Sequence, residues 1–182
     1  MAADGDQELR AQLDRIATFE AGIRPNVVNR ALQWLGPKKP FIAVYRRIGP
    51  KLDPWLTKVT GGDINKLYGF PACVLTTTGA RSGRPRPSPL FYVRDGDTFA
   101  VVGTNFGTEK HPAWTGNLLA TPRAELTVGP ETIAVEAELA DDAAFARIWP
   151  KLAAVYPGYD TYLERLEGTR TPRLFILTPV GG

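Results

Sequence analysis

Three arginines crowd one glycine-bracketed stretch of the chain. In "TTTGARSGRPRPSPL", residues 76–90, Arg81, Arg84 and Arg86 lie around Gly79 and Gly83. Cations this close repel one another, and a bound anion relieves the repulsion. A guanidinium is a planar fork of donors that matches phosphate and carboxylate. Glycine lets the backbone turn tightly and aim its amides at the same anion. No Gly-Lys-Ser/Thr follows, so this is not a nucleotide-hydrolysing phosphate loop. Taken alone, the stretch also suits a solvated turn whose arginines only keep it soluble. A second stretch, "VVGTNFGTEKHPAWTGNL", leaves an extended run, crosses a small polar loop and enters a helix bearing Trp114 and Asn117. A helix start with a buried tryptophan accounts for His111, Pro112 and Trp114. It does not account for Phe106, a large apolar side chain in a turn. A flat ligand lying on the loop would engage Phe106 and Trp114 together.

The elements that position these residues are legible in the apolar pattern. Residues 5–20 have helical spacing at Leu9, Leu13 and Ile16, with Asp4 and Gln7 resembling a capping box. Pro25 suits the first turn of a second helix whose apolar side is Val27, Val28, Ala31, Leu32 and Leu35, stopped by Gly36 and Pro37. "FIAVYRRI" and "WLTKVTGG" read as two further short helices. From there the texture becomes β. "ACVLTTT" is a strand. "SPLFYVR" and "DTFAVVG" form a hairpin about Asp95-Gly96 with a type I′ turn. "HPAWTGNLLATP" is a helix with His111 at the cap and Pro112 in the first position. "AELTVG" and "TIAVEAEL" form a second hairpin about Gly129-Pro130, the latter strand burying Ile133, Val135, Ala137 and Leu139 on one face. Asp141 and Asp142 cap a helix carrying Phe145, Ile148, Trp149, Leu152 and Val155, which Pro150 should kink or restart. A helix in "YDTYLERLEG" and a strand in "RLFILTP" follow. The expected class is α+β: a barrel of about six mainly antiparallel strands with inserted helices. We divide it as a helical N-terminal arm, residues 1–65, and a cofactor-binding barrel, residues 66–182, in one structural domain. No βαβ alternation is present, which argues against a dinucleotide-binding Rossmann domain.

Composition narrows the chemistry. The chain has 182 residues, 43% of them hydrophobic, and a net charge of +3. Cys73 and His111 are the sole cysteine and histidine, so a disulfide framework, a redox pair and a usual zinc or iron site are not expected. The first residues lack the pattern of a secretory signal and no apolar run approaches the ~18 residues of a membrane span, so a cytoplasmic protein is the simplest expectation. Charge is uneven. Residues 24–58 hold eight cations against the single acid Asp53, leaving the remainder of this +3 chain at −4. Trp34, Phe41, Ile42, Tyr45, Ile48 and Trp55 interleave with those cations. The segment reads either as a solvated helical surface or as a surface that meets anionic lipid at the inner face of the membrane. Nucleic acid fits least, because the two basic patches lack an aromatic stacking platform between them.

"LTTTGARSGRPRPSPLFYVRDGD" with "NFGTEKHPAWTGNLLATPRAELTVG" resembles the deazaflavin-dependent nitroreductase family, split β-barrel oxidoreductases that use reduced coenzyme F420. The likeness runs from about Leu75 to Gly129 and resumes weakly at "WPKLAAVYPGYDTYLERL" and "TPRLFILTP". The resemblance implies that Ala80, Arg81 and Ser82 hold the phosphate and oligoglutamate tail of F420, an 8-hydroxy-5-deazaflavin. Arg86, Pro87 and Ser88, then Pro89, Leu90 and Phe91, would meet the tail and ribityl chain. Val102, Gly103, Thr104 and Asn105 would line the deazaflavin ring. Ala113, Trp114 and Thr115, with Gly116 and Asn117, would close over it. Tyr156, Tyr159 and Tyr162 match positions near the substrate pocket, and Phe106 would join them; packing at three-residue spacing explains the tyrosines equally well. Asn105 stands where several relatives have lysine, Phe106 where many have glycine, and Thr104 where a serine is usual.

The implied activity is hydride transfer from reduced F420 to an electron-poor small molecule: a quinone, an enone or a nitroaromatic. Thr104 and Tyr159 are the expected proton donors or orienting groups. No metal is expected, and the protein should be a monomer or homodimer. An FMN-binding reductase of the same fold, or an F420-binding membrane-peripheral protein without turnover, would also use these arginines.

Overall fold

Period-two alternation decides which side of each strand faces the core. The structure is a computed structural model and describes residues 2–35, 38, 40, 65 and 69–181. Six strands, β1 (Ala72–Thr78), β2 (Pro85–Asp95), β3 (Thr98–Gly103), β4 (Arg123–Val128), β5 (Glu131–Leu139) and β6 (Arg173–Pro179), pair antiparallel into a closed barrel. Its order is β1-β2-β3-β6-β5-β4. One parity points inward: Leu75, Phe99, Val101, Leu126, Val135 and Leu177 are fully buried there. The other parity, at Val93, Ala100, Val102 and Leu174, points outward into a second apolar cluster beneath two helices, α4 (Asp142–Val155) and α5 (Gly158–Leu166).

The expected hairpins form, with two local differences. Asp95 pairs with Thr98, so the first turn is centred on Gly96-Asp97, one residue later than read from the sequence. Gly96 has φ +64° while Asp97 stays out of the left-handed region, so a type I′ turn, which needs both, is not adopted. Glycine takes the strained position and the L-residue is spared. In the second hairpin Val128 pairs with Glu131 about Gly129-Pro130, and Gly129 has φ +56°. Ile133, Val135 and Ala137 are buried, but Leu139 is 47% exposed because the strand outruns the core at its end.

Helix starts shift by a residue or more. The first helix, α1 (Ala2–Ala21), begins ahead of Asp4, so the box read at Asp4 and Gln7 is not its start. The second, α2 (Val27–Leu35), follows Asn26, whose Oδ1 accepts from the Asn29 amide at 2.9 Å; Pro25 precedes that cap. The helix of residues 113–120, α3 (Ala113–Ala120), has Pro112 at its cap and His111 before it. In α4 the Asp141 carboxylate accepts from the Ala144 amide at 2.8 Å, as expected of an aspartate cap. That helix runs on through Pro150 rather than restarting. Pro150 and Ala146 are exposed, so water can serve the carbonyl that loses its donor. The "FIAVYRRI" and "WLTKVTGG" stretches and most of the basic segment lie outside the described residues.

Helices close the two ends. At one end α1 buries Ile16 in the barrel interior, and Phe19 packs on Gly129, where a Cβ would sit 2.9 Å from the ring. Glu20 accepts from Tyr92 Oη at 2.6 Å and from Arg94 Nε at 3.2 Å, and Arg15 meets Glu131 at 2.8 Å. At the other end α3 inserts Trp114 and Leu118. That end also gathers the β1–β2 turn, the chain between β3 and α3, and the approach to β6.

The prolines of β2 keep one edge open there. The Tyr92 amide donates to Pro71 on the β1 side, so even-numbered amides of β2 face β1. Pro85, Pro87 and Pro89 therefore turn their donorless nitrogens toward β3, which pairs with β2 only over Tyr92–Asp95. The strand is thus split from β3 along its first half.

Candidate active site

The arginine turn is built rather than loose. The Gly79 amide donates to Arg84 at 2.9 Å, and the Ser82 and Gly83 amides donate back to Gly79. Gly83 takes φ +63° with open space beside it. Asn117, on α3, fixes the turn to the barrel end: its Oδ1 accepts from the Ala80 amide at 3.0 Å and its Nδ2 donates to Thr77 Oγ1 at 2.9 Å. Ser82 Oγ accepts from the Arg84 amide at 3.3 Å and from Arg86 at 3.5 Å. Arg81, Arg84 and Arg86 are exposed, and none of the ion pairs among the described residues includes them. A rigid turn that holds three unneutralised guanidiniums in water fits an anionic ligand.

The β3–α3 loop is strained. Asn105 and Phe106 take φ +48° and +59°, and for a bulky residue such as phenylalanine that region costs on the order of 1–3 kcal/mol. They lie in a single tight helical turn, Asn105–Gly107, held by Asn105 Nδ2 to the Lys110 carbonyl at 2.8 Å and Thr108 Oγ1 to the Asn105 carbonyl at 2.9 Å. The Phe106 ring meets Tyr162 edge-on at 5.9 Å. Gly103 touches α3 so closely that a Cβ would lie 2.6 Å from Thr115 Cγ2.

Beside the split, an aromatic wall forms on the outer face of β2 and β3. Phe91 lies 5.7 Å from Tyr156 and 4.9 Å from Phe70, and Val102 packs in the same cluster. Tyr156 and Tyr162 share a 3.2 Å hydrogen bond between hydroxyls, and Tyr159 stands edge-on to Tyr156 at 5.3 Å. Burial pushes the phenols of Tyr156 and Tyr159 up, so both are protonated at neutral pH and can donate. Neither the Tyr159 hydroxyl nor that of Thr104 has a partner within the described fold. Both residues are nearly enclosed, at 7% and 5% exposed.

The fold gathers most of the expected residues at one barrel end and divides them by orientation. Ala80 and Asn117 are bonded, Gly103 and Thr115 touch, and Phe106 meets Tyr162. Pro87, Pro89 and Phe91 share the outer face with Val102, whereas Leu90 and Trp114 turn into the barrel core. Ser88 is half-buried on the inward parity. On α3, Ala113 is exposed and a Cβ at Gly116 would meet nothing, so that side of the helix is open. Sequence reasoning missed Phe70, Arg170 and Arg173. The sequence shows Arg170 only as one more cation in a connecting turn. In the structure its guanidinium meets His111 Nδ1 at 3.2 Å, while Arg173 donates to Thr115 Oγ1 at 3.3 Å.

Partial burial, Arg170 and Arg173 hold the His111 imidazole below its usual range. The unfolded chain therefore takes up the proton first, and stability falls as pH drops through the ordinary imidazole range near 6.5. Urea midpoints should fall less in His111→Gln than in the parent between about pH 7.5 and about pH 5.5. An equal fall in both would remove His111 as a source of acid sensitivity.

The sequence profile of the F420H2-dependent quinone reductase family matches residues 53–177. The chain belongs to that family. An F420H2-dependent quinone reductase of Mycobacterium tuberculosis is 40% identical over 81 residues, a match covering 43% of this chain and 54% of the relative. The matched region thus spans about half of that reductase. Among solved structures, an F420H2-dependent reductase termed FDR-A aligns with TM-score 0.54 and 30% identity, over 59% of this chain and 93% of that one. A domain-swapped dimer aligns with TM-score 0.55 and 25% identity, over 72% and 97%. The six-stranded barrel of this quinone reductase family member is therefore the split-barrel fold expected from the sequence.

Proposed function

We propose that the protein oxidises reduced F420 and reduces a flat, electron-poor acceptor, with a quinone as the first choice. The observation behind this is the rigid turn of three unpaired arginines at the same barrel end as the strained Phe106 loop and the tyrosine wall. Arg81 and Arg86, with the Ala80–Ser82 backbone, would hold the phosphate and carboxylates of the cofactor tail. Pro87, Pro89 and Phe91 give an apolar bed on the open half of β2, and Val102, Thr104 and Asn105 border it. Bound there, reduced F420 would supply a hydride, chemistry that asks few catalytic side chains of the protein. The protein's part is to orient, to exclude water and to present protons. Tyr156, Tyr159 and Tyr162 with Phe106 form an apolar wall against which a ring can lie. We assign proton donation toward the acceptor oxygen to the protonated Tyr159 phenol and the Thr104 hydroxyl, so that hydride and proton together would convert quinone to quinol. As a quinone reductase family member, the chain takes a small-molecule acceptor; dimerisation is the assembly we expect, given the dimeric relative.

Steady-state oxidation of F420H2 against menadione, an enone and a nitroaromatic tests the proposal, with FMN titrated in parallel. Turnover with F420H2 and no binding of FMN is the expected result. Tight FMN binding with no response to F420 would replace it with the flavin alternative.

Val27 is 82% and Trp34 66% exposed on α2, with Lys38 Nζ 3.3 Å over the Trp34 ring. Among the described residues no helix is long and apolar enough to cross a membrane. We expect α2 to rest on anionic bilayers through Trp34 and its neighbouring cations. Co-sedimentation with anionic vesicles but not with neutral ones would bear this out, and sedimentation with neither would return α2 to an ordinary solvated surface.

A further inference from the structure

We propose, building on the cofactor site above, that Arg170 is the positioning residue that sets the shape of the 103–111 loop and locks it to α5. Its guanidinium spends its donors on that one loop. Nη2 meets the Thr104 carbonyl at 2.8 Å and the Thr108 carbonyl at 2.9 Å, and Nε meets Thr108 again at 3.0 Å. Nη1 reaches the Gly103 carbonyl at 3.4 Å and His111 Nδ1 at 3.2 Å, and Nη2 reaches the Lys110 carbonyl at 3.4 Å. No carboxylate pairs with Arg170 among the described residues, so carbonyl dipoles and a neutral imidazole take the place of a counter-ion.

The loop needs such a restraint. Two consecutive non-glycine residues, Asn105 and Phe106, are left-handed, and a segment so strained persists only when its surroundings over-determine it. Arg170 is itself fixed: its amide donates to the Leu166 carbonyl at 3.1 Å, after Gly168 turns the chain with φ +72°. It therefore ties the loop to the end of the helix that carries Tyr159 and Tyr162. The same helix closes on Gly107, where a Cβ would sit 3.0 Å from Arg165 Cβ and 3.1 Å from the Tyr162 carbonyl. One side chain thus registers the proposed ring bed, Thr104 and Asn105, against the proposed acceptor wall. Lysine cannot replace it fully, because three donors on one nitrogen do not span acceptors spread across a planar fork.

Hydrogen–deuterium exchange of peptides covering 103–111, with F420 binding followed by fluorescence quenching, tests this in Arg170→Gln and Arg170→Lys. Exchange in that loop should rise roughly tenfold or more in Arg170→Gln, with the strands unchanged. The F420 Kd should rise roughly tenfold in the same variant, and Arg170→Lys should fall between it and the parent in both measurements. If Arg170→Gln does not fold, Arg170→Lys decides on the same two readouts. Parental exchange at 103–111 would overturn the proposal. So would faster exchange with F420 affinity unchanged, since Arg170 would then support the fold alone. A parent protein that does not bind F420 would overturn the cofactor site instead, and the exchange measurement would still decide whether Arg170 holds the loop.

Discussion

Trp114→Ala is expected to destabilise the protein by about 3–5 kcal/mol, the range for emptying a large aromatic site in a packed core. Trp114 is 6% exposed, points into the barrel and lies 5.8 Å from Phe175. It is also the residue that seats α3, and Asn117, one turn along the same helix, reaches Ala80 and Thr77. Trp114→Phe keeps an aromatic ring in place and should leave the fold nearly intact. It should still weaken F420 binding, because a shallower anchor lets α3 shift and Asn117 loses its grip on Ala80 and Thr77. Urea denaturation and fluorescence titration separate the two effects. If Trp114→Phe changes neither stability nor affinity, Trp114 is packing and nothing more.

Arg81→Ala or Arg86→Ala should each weaken F420 binding by about 1.5–3 kcal/mol, roughly ten- to 150-fold in Kd, the worth of a hydrogen bond to a charged group. The remaining affinity should depend less steeply on salt, because fewer charges take part. Arg147→Ala removes the same formal charge from a site paired with Asp95 and should leave affinity unchanged. A loss of affinity in Arg147→Ala equal to that in the turn variants would mean that net charge, rather than this turn, attracts the ligand.

Local pattern made much of this molecule legible in the sequence. Alternation in residues 131–139 fixes which side chains face inward, whereas residues 98–103 are an apolar run buried on both faces, and the two-residue turns fix both hairpins to within one position. Helix existence follows from spacing and caps, whereas the starts of α2 and α3 slip by a residue or two because proline also suits the cap and the position before it. Long-range pairing is not local information. Nothing in residues 72–78 says that they pair with β4, fifty positions on, and nothing in 5–20 says that Ile16 enters the barrel. The same limit applied at the site. Arg81 and Arg86 stand out because they cluster in sequence. Arg170 does not, because the carbonyls that define its role lie some sixty residues away.

The order of strands around the barrel also bears on how the chain comes together during synthesis. β6 is made last, yet it sits between β3 and β5, so the cylinder cannot close before residues 173–179 arrive. Until then β3 and β5 each present a bare edge, the kind of surface that invites pairing with another chain. α1 precedes every strand in the chain, but Arg15 waits for Glu131, 116 positions later. A nascent chain can form both hairpins on the ribosome and must hold them unsealed. Refolding should therefore be governed by long-range closure rather than by hairpin formation, and this end-to-end dependence makes the C-terminal strand the last piece of the cylinder to be laid.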